Sequence, residues 1–396
     1  MGNDAAAQAG IDGLIADFAD HPELPGEVYK IEAQYWRMKR YEDVKLLCEY
    51  IAENHSDSDL AIKARTSVAA ADILLGNYAA AQAGIDAVIR DFAEDPELAR
   101  MLWKLGIVSW IGEKYDWSRQ FYQRVVDTWP ESSYAKRSQI GIIRADIKLG
   151  GNPSVLAGVD ELIADFADHP ELPGEVYELA YDCHLLKRYE DARQLWQRVV
   201  DSCPDRNDMI VMRSRIGVIM VDIDLGDDPS ALAGVDALIA NFYDHPRLPQ
   251  AVFRIGEQYY RLASAYRNQG LEIQSTESFA KAITVWERIL RDISVELDPR
   301  YPPHAYYSSA ISFGYLGQHE TAINYYQALV DNWPDYKFAG IALFRIGRAY
   351  ESLRKSGAVS KSEADSETRS AYEQLLEKYP TCIAAKSARR WLDRHN

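Results

Sequence analysis

Three histidines recur in one sequence context and are the residues best suited by type to catalysis or metal binding. His21, His169 and His245 each lie in an Asp-His-Pro triplet, and imidazole nitrogens can bind a metal ion or transfer a proton. Either chemistry requires side chains that converge on one point. These histidines occupy equivalent places in separate repeats, and Asp95 takes their place in a fourth. The pattern therefore favours a turn or helix-capping role.

The other reactive residues form no catalytic or metal-binding pattern. No glycine-rich phosphate loop, zinc-protease motif or nucleophile elbow is present in the sequence. Paired carboxylates such as Asp17 and Asp20 are expected on solvated helix faces. The cysteines include no CxxC pair, and the first two fall at apolar helical positions; they are Cys48, Cys183, Cys203 and Cys382. We therefore predict that the protein is not an enzyme and binds no cofactor or metal.

The composition is that of a folded, acidic protein. Hydrophobic residues make up 47% of the 396 residues, and 60 acidic against 44 basic residues give a net charge of −16 and a pI near 5.0. An acidic surface repels phosphate backbones, and no Lys/Arg run offers a local exception, so we expect no nucleic-acid partner. No apolar run is long enough to span a membrane, and the N-terminus carries no signal sequence.

A segment of 22 residues occurs four times and sets the organisation of the chain. The copies at 9–30 and 157–178 differ at three positions, and looser copies lie at 83–104 and 233–254. Their starting residues are separated by 74, 74 and 76 positions. Self-similarity at a fixed period predicts a stacked-repeat architecture. Apolar residues within each period follow helical spacing, which predicts four helices per step.

Each pair of helices resembles the tetratricopeptide repeat. The clearest unit is 303–334, with Ala310 at the small position of the first helix, Phe313 at the aromatic position and Pro334 as terminator. The resemblance covers essentially the whole chain. It implies an all-α fold, a right-handed α-solenoid of stacked antiparallel helix pairs.

The resemblance predicts a single solenoid over residues 1–396. Its predicted parts are a half-repeat at 4–20, repeats at 25–56, 62–95, 99–130, 136–170, 173–204, 211–246, 249–298, 303–334 and 340–380, and a C-terminal capping helix at 383–394. The chain begins inside a repeat, so we expect self-association through the uncapped half-repeat. Two hairpins carry insertions, at 263–281 and 355–367. The second insertion is polar and contains Gly and Ser, which predicts a mobile loop.

The resemblance also directs attention to aromatic residues on the first helix of each hairpin. In this family the concave face is lined by that helix, especially its fifth and twelfth positions. Rigid aromatic side chains there suit the capture of a peptide. The candidate partner-binding residues are Tyr29, Trp36, Trp103, Trp110, Tyr177, Phe253, Tyr260, Tyr307, Tyr315 and Phe344, with His184 at one twelfth position. Alternatively, these rings pack between adjacent first helices and meet no ligand, since intervening units carry Ile and Ala there and would interrupt a groove.

Three functions remain open from the sequence. The resemblance implies a non-catalytic scaffold or adaptor that binds a protein or peptide. The alternative is a spacer within a larger cell-envelope or multidomain protein, and a third is an enzyme or glycan-binding module that uses the aromatic groove. Segments such as 121–141 are similar to bacterial envelope members of the family, among them the lipoprotein of the outer-membrane β-barrel assembly machine. The sequence leaves the localisation open, and the start of the chain inside a repeat favours the bacterial periplasm or cell envelope over the cytoplasm.

Overall fold

The computed structural model describes residues 4–18, 21–150, 154–165, 170–203 and 209–395, and within these ranges it contains helices and no β-strand. Two compact units are present, Met1–Glu175 and Val176–Asn396. The prediction of an all-α helical-repeat fold is confirmed, whereas the assignment of all the helices to one solenoid with the stated repeat boundaries remains a prediction.

The helices of the described residues are α1 (Asp4–Asp17), α2 (Leu24–Arg37), α3 (Tyr41–Asn54), α4 (Ala61–Leu75), α5 (Tyr78–Asp91), α6 (Leu98–Ile111), α7 (Tyr115–Thr128), α8 (Ser133–Leu149), α9 (Ser154–Asp165), α10 (Leu172–Leu185), α11 (Tyr189–Ser202), α12 (Met209–Leu225), α13 (Asp228–Asn241), α14 (Leu248–Asn268), α15 (Glu272–Asp292), α16 (Tyr301–Tyr315), α17 (His319–Asn332), α18 (Ala339–Ser356), α19 (Lys361–Lys378) and α20 (Ala385–His395). Each 74-residue step therefore contains four helices, as the sequence predicts.

Short turns reverse the chain between helices. Gly76, Gly150 and Gly226 follow α4, α8 and α12 with φ angles of 82°, 78° and 77°, in the left-handed region where a residue without Cβ is least strained. These glycines are separated by 74 and 76 residues, so the turn repeats with the sequence period.

Even-numbered helices from α2 onward are the first helices of their hairpins, and we call them A helices; the odd-numbered partners from α3 onward are B helices. Most helices pack on the next helix in the chain, and several A helices also contact the next A helix, as α4 contacts α6 and α6 contacts α8 in the first unit. The same holds for α12, α14 and α16 in the second unit. Within each unit, these A helices therefore lie side by side, and their residues form a shared face.

An ion pair between a B helix and the following A helix repeats with the sequence period. In the first unit, Lys45 Nζ lies 2.8 Å from Asp72 Oδ1, and Arg119 Nε lies 2.6 Å from Asp146 Oδ1. In the second unit, Arg193 Nε lies 3.0 Å from Asp222 Oδ1. The aspartate side chains are largely buried, with 3%, 13% and 4% of their surface exposed.

The prediction of a mobile loop at 355–367 is wrong. Helices α18 and α19 extend through most of this insertion and leave only residues 357–360 between them. Ser360 caps α19, because its side chain accepts a hydrogen bond of 3.1 Å from the backbone N–H of Glu363. The side chains of Ala364 and Thr368 are buried, so one side of the helical segment formed by the insertion packs against the protein. The insertion at 263–281 likewise lengthens α14 and α15 to 21 residues each.

Within the described residues, no helix is both long and apolar enough to cross a lipid bilayer.

Candidate functional site

The predicted aromatic residues of the first unit lie in pairs on two A helices. Tyr29 and Trp36 lie on α2, and Trp103 and Trp110 lie at the equivalent positions of α6. Residues seven apart on a helix share one face. All four rings are half-buried, so they are neither enclosed in the core nor fully in solvent.

The tryptophan rings are held by neighbouring aromatic and basic side chains. The Trp36 ring centroid lies 5.4 Å from that of Tyr41, and the Trp110 centroid lies 6.0 Å from that of Tyr115. Arg137 from α8 lies 5.6 Å from the centre of the Trp103 ring, within the range of a cation–π interaction. These contacts fix each ring along one side.

A pocket of about 350 Å³ lies between α6, α8 and the residues at the start of α10; we call it the α6 pocket. Its lining includes Trp103, Ile107, Trp110, Arg137, Gly141 and Glu175. The ring of Tyr122 forms part of the wall, between Gly106 of α6 and Gly141 of α8. A Cβ atom at either glycine would overlap that ring, so glycine at both positions lets the Tyr122 ring lie against α6 and α8.

A second pocket of about 340 Å³ lies between α2, α4 and α6; we call it the α2 pocket. Its lining includes Tyr29, Ala33, Trp36, Lys63, Ser67 and Met101. Each of these residues precedes its counterpart in the α6 pocket by 74 positions. The first unit therefore presents one pocket twice, and the two adjoin at Ile107, which lines both.

The α2 and α6 pockets differ around the position that the Tyr122 ring takes in the α6 pocket. Glu32, Cys48 and Ser67 stand where Gly106, Tyr122 and Gly141 stand one period later. These exchanges replace the Tyr122 ring and the two glycines beside it with a buried carboxylate, a buried thiol and the hydroxyl of the half-buried Ser67.

Glu32 is the most buried charged residue of the α2 pocket, with 3% of its surface exposed. Its Oε1 accepts a hydrogen bond of 2.5 Å from Trp36 Nε1. Burial raises the pKa of Glu32 above its usual range, and burial lowers the pKa of Lys104 on α6. Burial also raises the pKa of the Tyr29 hydroxyl to about 12. These shifts follow from the burial of the three groups at the base of the pocket.

The intervening A helices contribute to the pockets. Ala70 of α4 and Gly141 of α8 present little or no side chain at the face, so space remains between the aromatic helices. The alternative, in which Ile and Ala of the intervening units interrupt a groove and the rings meet no ligand, remains a prediction.

The candidate rings of the second unit pack closely on B-helix aromatics. The ring of Phe253 lies against Trp286, with centroids 5.8 Å apart, and Tyr315 stacks on Phe279 at 4.9 Å. The remaining ring pairs are Tyr177 with Trp196 at 6.1 Å, Tyr260 with Phe279 at 5.5 Å, Tyr307 with Tyr326 at 6.0 Å and Phe344 with Tyr372 at 5.3 Å. Most of these rings are half-buried, whereas Tyr315 is 45% exposed.

A groove that the sequence analysis missed lies in the second unit, and we call it the arginine groove. It joins a space of about 720 Å³ to one of about 330 Å³, and Phe344 and Arg348 line both. Its basic residues are Arg267, Arg345, Arg348, Arg390 and Arg394. These residues form no continuous run in the sequence. The spacing of Arg345 with Arg348 and of Arg390 with Arg394, three and four residues apart on helices, was the available signal.

The recurring histidines act in turns. The Nδ1 atom of His21 accepts a hydrogen bond of 3.3 Å from the backbone N–H of Glu23, and that of His245 accepts one of 3.1 Å from Arg247. Asp95 accepts the equivalent bond from Glu97 at 2.7 Å. Imidazole and carboxylate thus exchange within one role, as predicted; His169 lies outside the described residues.

The described residues contain no cluster of three or more His, Cys, Asp or Glu side chains that could hold a metal ion. Cys48 and Cys183 are fully buried, as their apolar positions predict, and burial raises the pKa of both thiols. A raised pKa leaves the unreactive thiol form in place at neutral pH.

Comparison with known proteins identifies repeats in both units. Family models described as tetratricopeptide repeat match residues 75–133, 174–199, 304–336 and 341–381. The sequence matches none of the curated proteins with which it was compared.

Several solved structures resemble the chain at low sequence identity. The structure of Naa15/Naa10 bound to HypK-THB has 15% identity and a TM-score of 0.40, over 94% of this chain and 55% of that one, so the chain spans about half of its length. A tetratricopeptide-repeat protein of Thermus thermophilus has 17% identity and a TM-score of 0.28, over 56% and 97%. PilF of Pseudomonas aeruginosa has 14% identity and a TM-score of 0.33, over 58% and 93%.

Proposed function

The chain is a tetratricopeptide-repeat protein, and from this premise we propose that it is a non-catalytic scaffold that captures a peptide segment of another protein. Proteins built from such repeats typically act as protein-interaction scaffolds. The binding surface in this proposal is the A-helix face of the first unit, where the α2 and α6 pockets lie.

The observation that carries the proposal is the repetition of one pocket at a 74-residue step. Two adjoining pockets with aromatic walls offer two anchor points to a single ligand, and aromatic pockets concentrate binding energy. A helices pack about 8–10 Å apart, so pockets two helices apart are separated by about 20 Å. An extended segment of about six residues covers that distance.

The differences between the pockets would set the direction in which the ligand lies. The α6 pocket has an aromatic wall and a rim where Arg144 and Glu175 approach to 3.6 Å. The α2 pocket has the buried carboxylate of Glu32 and the amines of Lys63 and Lys104. Because the two pockets present different charged groups, a segment whose two anchors match them fits in only one direction.

The proposal is tested by selecting peptides from a displayed library on the full-length protein and measuring their affinity by fluorescence anisotropy. We expect Trp103→Ala with Trp110→Ala to weaken binding at least about tenfold, since hot-spot aromatics contribute that much or more. The control is Tyr243→Ala, which removes a 70% exposed ring outside the proposed surface.

A second variant separates loss of contact from loss of folding. Ile107→Arg places a bulky charge where the two pockets meet and leaves both tryptophans in place. If it binds the selected peptides as tightly as the unmodified protein, while circular dichroism shows both folded, the proposed surface is wrong. Selection of no peptide at all would instead favour the spacer function.

A further inference from the structure

We propose that the arginine groove is a second binding site, separate from the pockets of the first unit, and that it takes an acidic peptide segment with an apolar anchor. The groove crosses the A helices α16 and α18 and reaches the terminal helix α20. Its occupant is identified by charge and by the apolar surface at its base.

The charge of the groove is opposite to that of the protein. Residues 338–396 contain eleven Lys and Arg against seven Asp and Glu, whereas the whole chain has 44 against 60. Within the described part of the chain, one carboxylate lines the groove, that of Glu351, which lies 3.6 Å from Arg348. The five arginines of the groove therefore outnumber its carboxylates.

Several of these arginines are available to a ligand. Arg348 is 65% exposed, and Arg390 and Arg394 are exposed with no carboxylate at ion-pair distance among the described residues. Arg345 is partly enclosed, and its Nε atom is buried without a hydrogen-bond acceptor in the described structure. A guanidinium can bind a carboxylate through two parallel hydrogen bonds, which suits it to Asp and Glu side chains.

The base of the groove is apolar and partly uncovered. Ile383 is 86% exposed, an unusual state for a large aliphatic side chain, and Tyr315 is 45% exposed. Phe344 and Ile311 continue this surface between the arginines. An apolar side chain flanked by carboxylates would cover the base and pair with the rim.

A peptide fits this groove better than a nucleic acid does. A long polyanion would meet the repulsion of a protein with a net charge of −16. A short acidic segment contacts the basic residues alone and places an aliphatic or aromatic side chain on the base. Charge complementarity of this kind raises the rate of association and selects against cationic partners.

The test uses the full-length protein and a fluorescein-labelled peptide in which Glu and Asp flank a central Leu-Phe pair. A matched peptide carries Gln and Asn in place of the acids. We expect the acidic peptide to bind at least about tenfold more tightly, and its affinity to fall as salt is added. Equal affinity for the two peptides, or no binding of either, overturns the proposal.

Two double variants test whether the acidic peptide binds in the arginine groove. Arg390→Glu with Arg394→Glu should weaken acidic-peptide binding at least about tenfold. Arg354→Glu with Lys355→Glu makes the same change in charge at exposed positions of α18 outside the groove, and should leave affinity within about twofold. If both double variants lose the probe equally, general charge explains the binding and the site is wrong.

Three further measurements test the choice of ligand and the independence of the arginine groove from the pockets of the first unit. Ile383→Ser should weaken acidic-peptide binding severalfold with little effect on folding, because the side chain is exposed. A labelled single-stranded oligonucleotide that binds more tightly than the acidic peptide would overturn the choice of ligand. Trp103→Ala with Trp110→Ala should leave acidic-peptide binding intact, so failure of the first-unit proposal and failure of this one give different results.

Discussion

Three of the side-chain exchanges between the α2 and α6 pockets lie around the position of the Tyr122 ring. The Tyr122 ring, held between two glycines in the α6 pocket, gives way to Cys48, and the space at the helix contact is taken up by Glu32 and Ser67. A repeat copied at a fixed step can therefore keep its backbone path while the chemistry of its pocket changes. Glu32 is the exchange with a measurable electrostatic consequence.

Replacement of Glu32 by Gln is expected to stabilise the protein at neutral pH. Burial raises the pKa of this carboxyl, which means that the folded state disfavours its charged form. Glutamine carries no charge and can still accept the hydrogen bond of Trp36 Nε1. The cost of burying the charge is present above the raised pKa and disappears below the unfolded-state pKa of about 4.3.

The measurement is the thermal midpoint of Glu32→Gln against the unmodified protein at pH 7 and near pH 4. The gain should be present at pH 7 and shrink at the lower pH. Glu27→Gln is the control, because Glu27 is exposed on the same helix and pairs with Lys30. A gain that is independent of pH, or one shared by the control, would contradict this account.

At the scale of elements, the recurring ion pair joins each B helix to the next A helix. Asp72 is buried on α4, and it accepts hydrogen bonds from Lys45 of α3 at 2.8 Å and from Asn77 Nδ2 at 3.0 Å. The hydrogen bond to Asp72 raises the pKa of Lys45. A buried carboxylate that loses its cation keeps its desolvation cost.

Lys45→Met is therefore expected to lower the free energy of unfolding by about 1–3 kcal/mol. Lys30→Met, which removes an exposed lysine paired within α2, should cause no measurable change. Adding Asp72→Leu to Lys45→Met should recover part of the loss, because the unpaired charge is then removed as well. Chemical denaturation of the unmodified protein, the two lysine variants and the double variant gives the free energies of unfolding. An equal loss of stability in Lys45→Met and Lys30→Met would contradict a specific contribution of the Lys45–Asp72 pair.

The sequence predicts the helices well and the surfaces between them poorly. Apolar spacing and a fixed step suffice for α2 to α13, because those signals are local and repeated. Composition was misleading at 355–367, where Ala364 and Thr368 bury a helical face inside a polar segment. The α6 pocket and the arginine groove depend on residues from several helices, such as Trp103 with Gly141 or Arg348 with Arg394, and no local pattern reports that proximity.

At the scale of the whole molecule, each helix is supported mainly by its immediate neighbours. Contacts join helices adjacent in the chain and A helices two positions apart. Stability in such an array is approximately a sum of local terms and neighbour interfaces. A defect should therefore loosen the surrounding hairpins and leave distant ones protected.

A pair of identical substitutions in the second unit tests this locality. Gly347 of α18 faces the buried ring of Tyr372 on α19, and an added Cβ would overlap that ring, so Gly347→Ala should destabilise by about 1–3 kcal/mol. At Gly314 of α16 an added Cβ meets nothing within 4 Å, so Gly314→Ala should stabilise by about 0.5–1 kcal/mol through helix propensity. In hydrogen exchange, Gly347→Ala should speed amide exchange in α17 to α20 and leave α2 to α7 unchanged. Faster exchange throughout the chain would contradict this locality. The clash lies between α18 and α19, and it can affect helices that contact neither of them only if all the helices unfold together.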